Sequence, residues 1–179
     1  MKKSAKTLAL IALFVALITI GTFISIPIVP VAFTLQTLFV LLAGALLGGV
    51  NGMICVLIYI FMGLMGLPVF TGGGGFSYVL RPSFGFTIGF AFSALSMGLI
   101  MGKSKKPPVK RLILAISVST LIIYAVGIAY YLAVQSFYFG NAVNIGYVLL
   151  YFWIIFIPSD ILKGVAVFLV VKKVRPVNN

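Results

Sequence analysis

The sequence predicts an all-α integral membrane protein: one domain, residues 1–179, of six transmembrane helices with both termini cytoplasmic. Three observations predict it. Of the 179 residues, 63% are hydrophobic and 8% are charged, whereas a soluble domain is nearer half apolar and a quarter charged. The apolar residues fall in long runs of the kind that supply membrane helices. The basic residues cluster between the runs: Lys2, Lys3 and Lys6 at the start, Lys103, Lys105, Lys106, Lys110 and Arg111 in one polar segment, Lys172, Lys173 and Arg175 at the end. This is the positive-inside pattern. It accounts for the net charge of +12 without a nucleic-acid partner.

Composition also narrows the chemistry. The chain has no histidine, a single cysteine (Cys55) in an apolar run, and one carboxylate, Asp160. Zinc binding, a disulfide framework and thiol redox chemistry are therefore not expected. One carboxylate cannot form an acid/base pair, so neither a catalytic centre nor a cofactor or metal site is expected.

Span 1 is placed at residues 6–26. Its apolar run is too long for a secretory h-region and ends in no clear small-x-small cleavage site. Ala5, Ala9, Ala12 and Ala16 line one face, either for another protein's helix or for internal packing. Two prolines, Pro27 and Pro30, then break the helix, leaving a short apolar outer loop able to fold over a pocket. Span 2 is placed at 33–48, with Thr34, Gln36 and Thr37 near its start facing either a pocket or the interface. A tight uncharged turn at 48–52 leads to span 3, 53–66. Both spans are short against a hydrocarbon core that takes ~20 residues to cross.

Residues 66–78 carry four consecutive glycines, Gly72 to Gly75, interleaved with Phe70, Phe76 and Tyr78. Such a run cannot be a stable membrane helix. Irregular backbone at this depth is tolerated where it is buried in protein or lines a cavity. Glycine also permits close backbone approach to a ligand, so Phe70, Gly73, Gly74 and Tyr78 are candidate ligand contacts; a flexible outer loop is the plainer alternative. Arg81 follows, with headgroup contact as its ordinary role. Span 4, 83–102, has Gly85 and Gly89 at close-packing spacing, and span 5 covers 112–134.

Residues 145–171 read either as one long kinked span or, as we prefer, as a half-buried outer segment followed by span 6 at 158–171. Pro158 and Ser159 resemble a helix start, with Ser159 able to cap. Asp160 and Lys163 then share one helix face and partly neutralise each other. Charges inside a membrane are expensive and usually functional. With Arg81 brought up from span 4, the outer side carries a net +1, suited to a small monoanion with a polar head and an apolar body.

Three runs in register add a resemblance: 33–44 (FTLQTLFVLLAG), 66–70 (GLPVF) with its glycine cluster, and 158–164 (PSDILKG). Over most of its length the chain closely resembles the BioY family, the biotin-specific S components of energy-coupling factor (ECF) transporters. The resemblance implies the ECF S-component fold with a biotin pocket on the outer side, covered by the loops after spans 1 and 3. It implies that Asp160 and Lys163 hydrogen-bond the ligand's polar end. It implies that the small face of span 1 (Ala9, Ala12, Ala16) docks on a transmembrane coupling subunit served by two ATPase subunits. The run at 81–86 (RPSFGF) departs from the family's glycine-rich pattern there, so the role given to Arg81 rests on charge alone. The expected function is capture of biotin for ATP-driven uptake. A self-sufficient ion-coupled transporter of a small carboxylate is the competing reading, with Asp160 as ion site; a membrane enzyme is a third.

Overall fold

The computed structural model describes residues 4–26, 32–102, 104, 107–140, 144–152 and 154–174. The first helix, α1 (Ala5–Phe23), opens on Ser4, whose hydroxyl accepts from the Thr7 amide at 3.3 Å, satisfying one of the amides that a helix start leaves unpaired. Residues 25–26 and 33–34 then pair as a two-stranded antiparallel ribbon, β1 (Ser25–Ile26) and β2 (Phe33–Thr34), in the register Ser25↔Thr34 and Ile26↔Phe33. Both neighbouring spans are accordingly shorter than predicted: the ribbon takes the last residues assigned to span 1 and the first assigned to span 2. Of the outer loop expected at 26–31, Ile26 belongs to β1 and residues 27–31 lie outside the described residues.

Helices α2 (Gln36–Leu47) and α3 (Gly49–Leu64) are joined by Gly48 alone, whose φ of 84° is left-handed. Only glycine adopts that conformation at no steric cost. After α3 comes an irregular segment with one 3₁₀ turn (Phe76–Leu80), then α4 (Phe84–Met101) and α5 (Val109–Ala133). Gly85 and Gly89 bring α4 against α5 as their spacing predicted: a Cβ at Gly85 would lie 2.2 Å from Tyr130 Cβ, and one at Gly89 3.0 Å from the Ile123 carbonyl oxygen. Ser96 and Ser119 hydroxyls meet across the same interface at 2.8 Å. A π-helical turn (Val134–Tyr138) extends α5.

The segment 145–171 comprises α6 (Ile145–Phe152), a 3₁₀ turn (Ile154–Phe156) and α7 (Ile157–Lys173). Ser159 does not cap. Phe156 occupies the N-cap position without a side-chain bond, and Pro158 sits in the first turn. Proline lacks the N–H that a first turn leaves unpaired anyway, so the helix begins ahead of it and Ser159 falls inside.

Among the described residues, four helical stretches are long and apolar enough to cross a membrane: Ala5–Phe23, Phe84–Met101, Val109–Tyr138 and Leu150–Lys173; α2 and α3 are shorter apolar helices. The end of α1, the ribbon and the start of α7 meet around one cleft. The start of α1 and the end of α7, with Lys172 and Lys173, therefore lie together at the opposite, basic end. The core runs between the helices, with Ile18, Val40, Cys55, Val56, Ala94, Met97, Leu112 and Val167 all at 1% exposure or less. Cys55 is thus a small core residue, as read from the sequence.

Candidate functional site

Asp160 and Lys163 lie in the first two turns of α7, on one face, with Lys163 Nζ 3.3 Å from Asp160 Oδ1. The pair is secluded: the two side chains are 13% and 7% exposed respectively. The other carboxylate oxygen accepts from the Tyr124 hydroxyl on α5. Asp160 is thereby held from two helices. An ammonium has three N–H donors, and among the described residues only one of Lys163's has a partner.

The pair forms part of the wall of a cavity of about 40 Å³. Its other polar walls are Thr34, Thr37 and Thr120; its aromatic walls are Phe86, Phe90, Tyr124 and Phe156. Beside it, between the ribbon and α7, lies an open cleft of about 590 Å³, lined by Ile24, Phe33, Ile155, Pro158, Leu162 and others. Thr34 and Lys163 belong to both walls. The Phe33 and Phe156 rings stack at 4.1 Å and 5° between ribbon and α7. The inner cavity is smaller than the 300–1,000 Å³ typical of ligand pockets, and the outer cleft falls within that range.

Of the residues singled out from the sequence, the structure brings Asp160, Lys163, Thr34 and Thr37 together. Gln36 is displaced from that wall. It is 5% exposed, and a buried amide needs partners: its Nε2 donates to the Tyr59 hydroxyl at 2.7 Å, and its Oε1 accepts from Thr34 Oγ1 at 3.2 Å. Gln36 therefore positions Thr34. Tyr59 in turn donates to the Val69 carbonyl at 3.0 Å and lies 3.2 Å from Thr22 Oγ1. One phenol thus joins α1, α2, α3 and the segment after α3.

The glycine-rich segment does not line the charged cavity. It folds back on the end of α3 instead. Phe70 and Gly73 exchange backbone hydrogen bonds at 2.9 and 3.1 Å, and the Gly75 amide donates to the Gly63 carbonyl at 2.7 Å. Gly73 has a φ of 105°, and a Cβ on Gly74 would lie 2.1 Å from the Leu67 carbonyl oxygen. The glycines serve these turns and this close backbone packing. Phe70 and Tyr78, both buried, form one aromatic block with Tyr59 and Phe84, and the Tyr78 hydroxyl meets Thr71 Oγ1 at 3.0 Å. Arg81 is exposed, its guanidinium 5.1 Å from the centre of the Tyr78 ring. It meets neither Asp160 nor Lys163, because the cation–π contact and the aromatic block hold it on the glycine-rich segment.

Sequence reasoning missed Tyr124, which bonds Asp160, and Tyr59, which organises the neighbouring network. The signal available was a phenol inside an apolar run, since a buried tyrosine hydroxyl needs a partner. For Tyr124 there was also Thr120 one turn earlier on the same face. On α1, Ala5, Ala9, Ala12 and Ala16 are all exposed, while Ile11, Phe14, Val15 and Ile18 pack inward. Internal packing does not use the small face.

Together the fold and this site define a multi-pass helical membrane protein enclosing a small charged pocket near one face. A model of the BioY family matches residues 1–179. The chain belongs to the BioY family. It is 50% identical over 129 residues to the probable biotin transporter BioY of Lysinibacillus sphaericus, covering 72% of this chain and 66%, just under two thirds, of that protein. It is 35% identical over 173 residues to the biotin transporter BioY of Rhizobium etli, covering 90% of this chain and 89% of that protein. Among solved structures it superposes on the S-component for biotin from an ECF-type ABC transporter with a TM-score of 0.77 and 28% identity, over 96% of this chain and 94% of that one. The fold is that of an S component.

Proposed function

We propose that this chain is the substrate-binding membrane subunit of an ECF transporter, capturing biotin at its outer face for ATP-driven uptake. The observation that carries the reading is the Asp160–Lys163 pair, braced by Tyr124, in the wall of a cavity beside an open cleft. Biotin is a monoanion with a ureido head and an apolar ring. Its ureido group both donates and accepts hydrogen bonds, matching a carboxylate and an ammonium set side by side. The threonine hydroxyls and aromatic walls suit the remainder. Relatives named as biotin transporters and a solved S component for biotin support the ligand.

The subunit is non-catalytic, and a separate transmembrane coupling subunit with two ATPase subunits supplies the energy. The exposed alanine face of α1 is where the coupling subunit docks, since small residues let a foreign helix approach closely. By the positive-inside rule the basic end, with both termini, is cytoplasmic, and the charged pocket opens outward. The deciding experiment is calorimetric titration of biotin into the purified chain in detergent, with thiamine and riboflavin as controls. One-to-one, biotin-selective binding is expected; a folded sample that binds no biotin refutes the assignment.

A further inference from the structure

We propose that the groove between α5 and α7 is a binding site for an anionic phospholipid, its acyl chain in the groove and its phosphate between Lys110 and Lys172. The groove encloses about 310 Å³ and is walled by Ile113, Ile116 and Ser117 of α5 and by Gly164, Val165 and Phe168 of α7. Its floor is formed where the two helices approach closely: a Cβ at Gly164 would meet Ile116 Cγ2 at 3.3 Å.

The charge is placed to match. Lys110 precedes Ile113 by three positions and Ser117 by seven, so it shares their face of α5. Lys172 follows Phe168 by four and Gly164 by eight, on the same stripe of α7. The two helices run in opposite directions, so the start of α5 and the end of α7 coincide. Both lysines are exposed at that mouth. Lys172 Nζ lies 4.9 Å from the centre of the Phe168 ring, so a ring that walls the groove holds this ammonium beside it. Basic residues flanking an apolar crevice at the membrane surface recognise anionic headgroups.

The same charges argue against a second copy of the chain. Two copies inserted the same way would oppose lysine to lysine. The chain's one acidic residue, Asp160, is already engaged with Lys163 and Tyr124 in the other half of α7.

The test is native mass spectrometry of the full chain in a mild detergent, titrated with phosphatidylglycerol and with phosphatidylcholine of the same acyl chains. One phosphatidylglycerol per chain, preferred over phosphatidylcholine, is expected. Lys110→Gln with Lys172→Gln should reduce that preference about thirtyfold, at roughly one surface-charge contact per lysine. Ser117→Leu, which fills the groove, should abolish the single tight site for either lipid. Lys6→Gln, a basic change on α1 away from the groove, should leave the preference unchanged. Equal binding of both lipids, or an undiminished preference in the double variant, overturns the proposal. So does an equal loss in Lys6→Gln, which would mean diffuse attraction, or a dimer that Ser117→Leu dissociates, which would give the groove to a second copy.

Discussion

Asp160 accepts from two donors on two helices, and its chemistry depends on that. Removing one member of a secluded ion pair leaves the other charged and unmatched, at a cost of about 3–5 kcal/mol. Asp160→Asn is therefore expected both to weaken biotin binding and to lower the thermal midpoint in detergent. Lys163→Ala is expected to weaken binding by deleting the donors that face the cavity. Normal affinity in both variants would remove the pair from the site. Tyr124→Phe keeps the ring that packs on Phe86 and deletes one hydrogen bond to a charged group, about 1.5–3 kcal/mol. It should weaken biotin binding by about tenfold or more, read by the same titration. Unchanged affinity would leave Tyr124 a packing residue only. Asp160 and Lys163 were legible in the sequence because charge inside an apolar run is conspicuous. Tyr124 was not, because its partner lies 36 positions away and an uncharged phenol breaks no local pattern.

The helices carry faces that serve the interior and faces that do not, and the small face of α1 is among the latter. The alanine stripe of α1 is exposed, so a larger side chain there has room in the isolated subunit. Ala12→Leu or Ala16→Leu should leave biotin binding intact and impair uptake in cells carrying the whole transporter. Loss of both together would mean the stripe matters to the subunit's own fold. Where α3 meets α4 the opposite holds: a Cβ at Gly98 would lie 1.9 Å from the backbone nitrogen of Gly49. Overpacking of this kind costs about 1–3 kcal/mol or more, and the obstacle is backbone rather than a side chain that can turn aside. Gly98→Ala should lower the thermal midpoint measurably, with the ion pair untouched. Helical spacing revealed both the α1 stripe and the Gly85 and Gly89 packing. It did not reveal the ribbon of residues 25–26 with 33–34 or the inward fold of the glycine-rich segment. Those depend on which distant group satisfies each backbone amide, and no local period records that.

At the level of the whole molecule, charge divides the two ends. Basic residues gather where α1 begins and α7 finishes, while the pocket and the glycine-rich segment lie at the other end. A membrane-impermeant thiol reagent applied to intact cells should label Phe76→Cys, whose side chain is 77% exposed, and should spare Ser4→Cys and Val174→Cys until the cells are opened. Background is low because Cys55, the only native cysteine, is 0% exposed. Reversed labelling would invert the orientation and place the pocket inside. Amphipathic order contributed little to this reading; the long apolar runs and the three basic clusters carried it.

The Tyr59 hydroxyl has a mechanical consequence. A phenol has one hydrogen and two lone pairs, and here they serve Val69, Gln36 and Thr22. Through Gln36 the hydroxyl steadies the ribbon at Thr34, and through Val69 it anchors the glycine-rich segment. The ribbon and the glycine-rich segment are thus tied, each by its own bond, to one hydroxyl on α3. A single atom serves two stretches that are far apart in the chain. Tyr59→Phe removes both ties at once, and should speed backbone hydrogen exchange in both stretches together.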